Sequence, residues 1–449
     1  MMGKITVAVG VALLAALPAA AQRATYPPEE FAARRAALCE ALDKGTVLLF
    51  GNSMPPAGVR SRQDNDFFYY TGVEDLHAAL LLDAEGCAAT LFLPQQGEEE
   101  VRADGANLLT RKAEAASLGL AAVRPLTLLE ESLAGQRYDG PVRLWVRLTE
   151  PDTVDNGRFD IGVYLALRFT TGFGGRPSDN AWKVSTLRAR FPDFELVDVT
   201  PFIDRQRTIK TPREIEVLRR NGRISAEGIR RAIAATRPGL YEYNLEAAAR
   251  AWYDWNGADG VAFPAIVASG PNLLTWHYAA NSRQLEADDL VVMDFGADMG
   301  HLTIDVTRTW PVDGEFSELE LRAYRCVLEA EKAIIAAMRP GATRADTVAI
   351  EKAILEKWGF SDQRAGGAGH FVGMSVHDVG DESAPFAPGM VIAVEPMIMI
   401  DDEELHCRIE DTVLITADGA EVLTVGLAKE VDELLALVGS GPPAADPSR

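Results

Sequence analysis

The residues best suited to chemistry are two aspartates in the stretch Val291–Pro311, which reads VVMDFGADMGHLTIDVTRTWP. Two apolar, β-branched runs flank its centre, a pattern typical of a β-hairpin. A turn centred on Met299 and Gly300 places Asp294 directly opposite Asp305. Two like charges in this position destabilise a strand pair, so we expect a cation between them, and a divalent metal is the simplest candidate.

The alternation of side chains along a strand divides this hairpin into a polar and an apolar face. The aspartates share their face with Gly296, Thr303 and Thr307. The alternative interpretation is a pair of solvated aspartates on an exposed sheet. The opposite face is predicted to be core and consists of Met293, Phe295, Ile304 and Val306.

The C-terminal half contains two segments that match each other. Two helical patterns end in the same tripeptide, Arg-Pro-Gly, at residues 237–239 and 339–341. Each is followed by a second helical stretch that ends near a glycine, Gly257 or Gly359. This similarity indicates a structural repeat, so a second acidic hairpin is expected at the matching distance after residue 341.

The expected second hairpin is found at residues 391–416, which read VIAVEPMIMIDDEELHCRIEDTVLIT. A turn at residues 402–403 places Glu395 opposite Glu410, and Arg408 lies on the same face. Four carboxylates that converge from two repeats need about four compensating positive charges. Two divalent cations supply that number.

Histidine is scarce, with six in the chain, so the positions of three of them are informative. His277 and His377 occupy equivalent places in the two repeats, and His370 precedes His377 by seven residues. Seven is odd, so Gly369 or Gly373 must bend the strand if both histidines serve one site. Proximity to four paired carboxylates favours a functional role over a structural one. The other three are interpreted as surface or packing residues: His77, His301 and His406.

The composition is that of a globular chain long enough for two domains, with 449 residues, 47% hydrophobic and 24% charged. A net charge of −22 argues against nucleic acid as a partner. The cysteines show no CxxC spacing and are predicted to be unpaired. They are Cys39, Cys87, Cys326 and Cys407.

Residues 1–21 have the pattern of a secretory signal peptide, with Lys4, an apolar run from Ile5 to Leu17 and cleavage before Gln22. The apolar run is short for a membrane span, and a retained N-terminal anchor is the alternative. We therefore expect an exported protein, periplasmic or secreted, without membrane contact beyond this segment.

Residues 22–205 are predicted to form an α/β domain. A helix begins at Pro27 and ends before Gly45. The sequence RQDNDFFYYTG, at residues 62–72, is interpreted as a buried aromatic strand with a polar entry turn, and residues 200–213 as a linker. The predicted strands are Thr46–Phe50, Ala78–Leu82, Ala89–Leu93, Val142–Leu148 and Phe194–Val199.

One histidine and four acidic residues, in this order and with HxxGxxxHD around the histidine, resemble the ligands of the pita-bread metallopeptidases. That family includes methionine aminopeptidase, aminopeptidase P and prolidase. RQDNDFFYYTG resembles the N-terminal domain of the aminopeptidase P and prolidase branch, and residues 428–436 resemble the C-terminal helix entry of aminopeptidase P. The five residues are Asp294, Asp305, His370, Glu395 and Glu410.

The resemblance implies an α/β N-terminal domain of the aminopeptidase P type at residues 22–205. It also implies an α+β pita-bread catalytic domain, built from a pseudo-twofold repeat, at residues 206–438. Residues 439–449 are predicted to be a disordered tail. By the same resemblance the protein is expected to form a homodimer or homotetramer.

The resemblance also assigns the metal ligands. Asp294 chelates one ion, and His370 and Glu395 hold the other. Asp305 and Glu410 bridge the pair. One imidazole and four carboxylates form an oxygen-rich set that suits two Mn²⁺ ions best, with Co²⁺, Zn²⁺ and Fe²⁺ as alternatives.

The implied activity is release of the N-terminal residue from peptides with proline in second position. His277 and His377 then contact the substrate and the developing oxyanion, and Arg408 is a third catalytic candidate. An Xaa-Pro dipeptidase is the nearest alternative, and a non-catalytic pita-bread binding protein is a more distant one. Met397 and Met399 replace a glycine and a tyrosine of the family pattern, which leaves the substrate preference open.

Overall fold

The computed structural model describes residues 23–53, 62–139, 142–169 and 177–441. The predicted signal peptide, 1–21, and most of the predicted tail lie outside these residues. In the described part of the chain, an N-terminal α/β unit precedes a C-terminal unit with two acidic hairpins. No helix among the described residues combines the length and apolar character needed to cross a bilayer.

In the described N-terminal unit, a six-stranded mixed sheet has the order β4-β3-β2-β1-β5-β6. Strands β1, β2 and β3 run antiparallel, whereas β5 runs parallel to β1. All five predicted strands are present, and the short β4 is an additional one. The strands are β1 Thr46–Phe50, β2 Ala79–Asp83, β3 Ala89–Leu93, β4 Ala122–Pro125, β5 Arg143–Val146 and β6 Glu195–Asp198.

Helices surround this sheet, and one of them corrects the prediction of an aromatic strand at residues 62–72. That segment forms helix α2, because the Asp64 side chain caps the backbone N–H of Phe67 and Gly72 ends the helix with a φ of 67°. The helices are α1 Pro28–Leu42, α2 Asn65–Thr71, α3 Glu98–Asp104, α4 Lys112–Ser117, α5 Leu129–Gly135, α6 Arg158–Phe169, α7 Asp179–Arg190 and α8 Thr200–Thr208.

The prediction of four unpaired cysteines is wrong for two of them. Cys39 in α1 and Cys87 in the β2–β3 turn form a disulfide, with Cα atoms 5.8 Å apart. The two cysteines are 48 residues apart in sequence, so no local spacing motif predicts the disulfide. Cys326 and Cys407 are buried free thiols.

The predicted linker, residues 200–213, is ordered and partly buried. It includes α8, and its Arg207 has a fully buried guanidinium. Arg207 bonds Asp66 of α2 at 2.7 Å, and Asp152 and Asp378 at 2.6 Å each. One cation thus joins the N-terminal unit to the segment that follows His377.

The predicted repeat is confirmed by the helices of the C-terminal unit. Gly239 and Gly341 have φ angles of 88° and 87°. Each donates its N–H at 2.9 Å to a matching carbonyl, of Leu285 and Phe386 respectively. The helices are α9 Pro212–Ala235 and α10 Glu242–Trp255 in the first repeat, α11 Glu318–Ala337 and α12 Arg344–Trp358 in the second, and α13 Val431–Leu437 at the end.

Short sheets on both sides of the pseudo-twofold axis form the two hairpins. Their orders in the described residues are β12-β9-β8 and β11-β10-β7, then β14-β15-β18-β19 and β13-β16-β17. The strands are β7 Gly260–Val261, β8 Ile266–Ser269, β9 Leu290–Asp294, β10 Ala297–Met299, β11 Leu302–Thr303, β12 Thr307–Pro311, β13 Arg364–Ala365, β14 His370–Phe371, β15 Val391–Val394, β16 Met397–Ile400, β17 Leu405–Arg408, β18 Asp411–Ile415 and β19 Ala420–Val422.

Candidate metal centre

The first hairpin differs from its predicted register by two residues. Asp294 lies opposite Thr307, not opposite Asp305. The turn is formed by Gly300 and His301, both with positive φ angles of 59° and 61°. Because the shift is an even number, both aspartates keep their common face, and the apolar set on the other face is buried as predicted.

The position of His301 explains the shift. Its ring stacks on Phe68 of α2, with centroids 3.5 Å apart, and its Nε2 lies 2.6 Å from Glu74 Oε1. These contacts with the N-terminal unit hold a non-glycine residue in the left-handed region. His301 and the buried His406 are packing residues, and His77 is exposed, as predicted.

The second hairpin has the predicted register. Met397 pairs with Arg408, and Val394 pairs with Asp411. Glu395 and Glu410 therefore lie opposite each other between these two ladders. The connecting turn includes a short 3₁₀ segment at Asp401–Glu403.

A direct bridge joins the two hairpins. Thr307 and Glu410 exchange backbone hydrogen bonds of 3.3 and 3.1 Å, and Thr307 Oγ1 donates to Glu410 Oε2 at 2.6 Å. Nearby, Thr412 Oγ1 donates to the backbone oxygen of Asp305 at 2.7 Å. These bonds place the acidic faces of both repeats side by side.

Three predicted ligands meet at one point. Donor atoms of Asp305, His370 and Glu410 all lie within 4.8 Å of one another. His370 Nε2 is 3.4 Å from Asp305 Oδ2 and 4.0 Å from Glu410 Oε1. The Oδ1 atoms of Asp294 and Asp305 and Oε1 of Glu410 are buried and have no hydrogen-bond partner among the described residues.

Unpaired buried carboxylate oxygens are costly, so this arrangement calls for a cation. The donor set of one imidazole and several carboxylates fits a divalent metal ion. Asp294 and Glu395 flank the three-residue cluster and are predicted to complete it. The residues present therefore fit the metal centre that the family implies.

The pKa shifts of three of these carboxyl groups agree with this interpretation. Burial, followed by repulsion from Asp294, raises the pKa of Asp305 well above its usual range. Burial and the nearby Asp305 do the same to the pKa of Glu410. Burial also raises the pKa of Glu395. A bound cation would reverse these shifts, because it favours the ionised carboxylates.

Arg408 lies beside Asp294 rather than in the open site. Its Nη2 is 2.9 Å from Asp294 Oδ2, and the residue is buried. The backbone N–H of Arg408 donates to Thr309 Oγ1 at 3.0 Å. The structure thus assigns Arg408 a contact with a predicted ligand and shows none with the open cavity.

The chain bends between the two neighbouring histidines, as their odd spacing requires. The rings of His370 and His377 meet edge to face, with centroids 4.4 Å apart. Gly369, with a φ of 139°, approaches the backbone of Ala393 so closely that a Cβ would lie 1.8 Å from its oxygen. At Gly373 a Cβ would lie 1.9 Å from the Asp378 carboxylate.

A cavity of about 300 Å³ opens above Asp294 and Asp305. His277 and His377 both line it, so the structure brings together the two histidines predicted to contact substrate. Its apolar wall consists of Phe263, Pro264, Ile266, Ala279 and Val376. The N-terminal unit contributes Asp155, Asn156, Asp160 and Tyr164.

Asp160 is a site residue that the sequence analysis missed. Its Oδ2 lies 2.8 Å from His377 Nδ1. Burial and the adjacent His370 lower the pKa of His377, and Asp160 opposes that shift. A lone aspartate in an apolar helix has no spacing relation to a histidine more than two hundred residues away, so no sequence signal identifies it.

A candidate metal site between two repeated hairpins, beneath an α/β domain, is the architecture of the pita-bread metallopeptidases. Comparison with known proteins agrees. Residues 31–140 match the N-terminal domain of aminopeptidase P, and residues 216–417 match metallopeptidase family M24. The Xaa-Pro aminopeptidase of Escherichia coli (strain K12) is 30% identical over 450 residues, which cover 91% of this chain and 97% of that protein.

A solved structure, aminopeptidase PepP of Pseudomonas aeruginosa, is 28% identical with a TM-score of 0.76, covering 92% of this chain and 98% of that one. An Xaa-Pro dipeptidase of Pyrococcus furiosus is 35% identical over 58% of this chain and 76% of its own length. The chain therefore belongs to metallopeptidase family M24, in its aminopeptidase P branch. It is a metallo-aminopeptidase, and the predicted fold class is confirmed.

Proposed function

We propose that this protein is a dinuclear-metal Xaa-Pro aminopeptidase, which releases the N-terminal residue from peptides with proline in second position. The main supporting observation is a set of buried carboxylate oxygens without hydrogen-bond partners among the described residues. Those of Asp294 and Asp305 lie at the floor of the cavity, and that of Glu410 lies beside His370. The similarity to the Escherichia coli Xaa-Pro aminopeptidase supports the substrate class.

Five residues would hold the ions: Asp294, Asp305, His370, Glu395 and Glu410. Divalent ions bound there would supply a nucleophile at neutral pH and polarise the scissile carbonyl. The oxygen-rich donor set favours Mn²⁺ over Co²⁺, Zn²⁺ and Fe²⁺. Metal analysis of the native protein tests both the number and the identity of the ions.

The chain's own side chains bind and orient the peptide. Proline as second residue makes a tertiary amide without an N–H, so it offers its ring rather than a donor. Phe263 and Val376 of the apolar wall suit that ring. His277 and His377, on the rim, are placed to contact the peptide and the oxygen that becomes negative.

The charges around the cavity favour an aminopeptidase over a dipeptidase. Among the described residues that line it, none is Lys or Arg, whereas Asp155 and Asp160 line its N-terminal side. A dipeptidase must bind a free carboxylate next to the scissile bond, and the negative charges of these aspartates repel that group. The dipeptidase remains the second candidate, because a Pyrococcus furiosus Xaa-Pro dipeptidase is 35% identical to part of the chain.

Export to the periplasm or outside the cell is part of the proposal. The signal-like pattern of residues 1–21 supports it, as does the disulfide between Cys39 and Cys87, because disulfides persist in oxidising compartments. N-terminal sequencing of the native protein should begin at Gln22, and a start at Met1 would contradict a cleaved signal peptide. The expected homodimer or homotetramer rests on family resemblance and is tested by the mass in solution.

One experiment tests the activity. We expect kcat/KM in the presence of Mn²⁺ to be higher for Ala-Pro-Ala than for Ala-Pro, and acetyl-Ala-Pro-Ala to resist cleavage, since a free α-amino group suits the acidic cavity. A preference for Ala-Pro would favour the dipeptidase. Failure to cleave any of the three with Mn²⁺ or Co²⁺ would refute both.

A further inference from the structure

Helix α6 places one carboxylate against the ring of His377. Asp160 lies in its first turn, and Oδ2 accepts from the backbone N–H of Gly157 at 3.2 Å as well as meeting His377 Nδ1 at 2.8 Å. The first bond fixes the carboxylate to the start of the helix. The second extends it to the catalytic half of the chain.

The two backbone segments on either side of this contact pack closely against each other. A Cβ on Gly157 would lie 2.3 Å from the backbone oxygen of His377, so a larger residue would separate the two segments. The N–H of Val376 donates to the oxygen of Val154 at 2.9 Å. The start of α6 and the histidine therefore keep one relative position, and the bond to Asp160 does not depend on a mobile side chain reaching across a gap.

A carboxylate accepts hydrogen bonds and donates none, so it selects one tautomer of a neighbouring imidazole. We propose that Asp160 is a positioning residue for the reaction of this enzyme: it holds His377 in the Nδ1–H form and leaves Nε2 for the bound peptide. The inference rests on the proposed function. A carboxylate in this role orients the ring and stabilises it when it takes a second proton.

The tautomer determines what His377 offers to the substrate. With Nδ1 protonated, the neutral ring can accept a hydrogen bond at Nε2 but cannot donate one there. Asp160, 2.8 Å from Nδ1, is placed to balance the charge of the ring when Nε2 donates to a negative oxygen. Removal of Asp160 would leave the ring free to place its single proton on either nitrogen.

A double-mutant cycle tests whether Asp160 acts through His377. We expect Asp160→Ala to lower kcat on Ala-Pro-Ala by about 10–100-fold, less than the roughly 10²–10³-fold cost of removing an oxyanion donor itself, with KM changed less than about threefold. In the His377→Ala background the same substitution should cause no further loss. An equal loss in both backgrounds, or no loss in kcat in either, would overturn the proposal.

A spectroscopic measurement decides the point without reference to activity. The chain has six histidines, so ¹⁵N-histidine spectra of the protein loaded with diamagnetic Zn²⁺ can be assigned to His377 with the His377→Ala variant. We expect the Nδ1–H signature in the wild type and its loss in Asp160→Ala. An Nε2–H signature in the wild type would overturn the proposal.

Two features keep the outcomes distinct. Asp179→Ala, at an exposed position in the first turn of α7, is the matched control and should leave both kcat and the His377 signature unchanged. If the protein cleaves no Xaa-Pro peptide, the proposed function fails. The spectra then still show whether Asp160 sets the tautomer of His377.

Discussion

Thr307 and Glu410 exchange backbone hydrogen bonds, and Thr307 Oγ1 also donates to the Glu410 side chain at 2.6 Å. This pair of residues joins the two repeats. Thr307 Oγ1 donates to Oε2 of Glu410, and the other oxygen, Oε1, is buried with no hydrogen-bond partner in the described part of the chain. One threonine hydroxyl thus orients a proposed bridging carboxylate toward the metal centre.

Thr307→Val should therefore weaken metal binding while it preserves the fold. Valine retains the shape of the side chain and the backbone bridge but removes the hydroxyl, and loss of such a supporting bond typically costs about 10–100-fold in metal affinity. Titration of the apo protein with Mn²⁺ measures the change. Thr416→Val, at the end of β18, is the control, and equal affinities for the two variants would contradict the role of Thr307.

The protein should bind two divalent ions per chain, since the carboxylates of both repeats need that charge. Asp305→Ala and Glu410→Ala each remove a proposed bridge and should abolish the dinuclear site. Metal analysis after dialysis gives the stoichiometry. Two retained ions and full activity in either variant would refute the ligand assignment.

His377→Ala should keep its metal content and lose about 10²–10³-fold in turnover, the usual cost of removing a group that stabilises a developing oxyanion. His77→Ala, at an exposed position in the N-terminal unit, is the matched control. Normal turnover in His377→Ala, with normal metal content, would show that this histidine has a packing role.

Asp204 should make stability depend on pH. Burial raises its pKa to about 6, although the Arg158 guanidinium 2.8 Å away opposes the shift. A carboxyl group with a raised pKa stabilises the fold fully below its ordinary pKa, and that contribution is lost as pH rises through about 6. The folded state therefore has a cost above pH 6 that it lacks at pH 4.

Asp204→Asn removes that cost and keeps an acceptor for Arg158. We expect a higher Tm than the wild type at pH 7.5, equivalent to a gain of order 1 kcal/mol after allowance for partial exposure. The difference should vanish near pH 4. A lower Tm at pH 7.5 would show that the ion pair with Arg158 outweighs burial.

When the purified protein is denatured, it should show two reactive thiols before reduction and four after it, because Cys39 and Cys87 are paired. Replacing both by serine opens a loop of 48 residues and should lower the free energy of unfolding by roughly 2–4 kcal/mol. Chemical denaturation of the two forms measures the difference. Four thiols in the untreated protein would contradict both the disulfide and its support for export.

Local patterns in the sequence predicted the parts of the site that depend on strand alternation and on the repeat. The second hairpin has the predicted register, and its turn residues, 401–404, are exposed. The first was displaced by two residues because Phe68 and Glu74, from another unit, select the conformation of His301. An even displacement preserves the face, so Asp294 and Asp305 still share it, and both line the cavity.

Features that depend on distant partners could not be predicted. Helix α2 is a different case, because its Asp64 cap and Gly72 are local signals that favour a helix, although its aromatic run favours a strand by composition. The disulfide and the contact between Asp160 and His377 join residues that share no periodic pattern. Only packing brings such residues together.

The buried bonds of Arg207 have a consequence for engineering this enzyme. A fragment that starts at α9 would leave Asp378 without Arg207 and His377 without Asp160. A chimera that takes its N-terminal unit from a relative would therefore combine residues of this charge network from two different proteins. Helices α6 and α8 and the segment after His370 should come from the same parent.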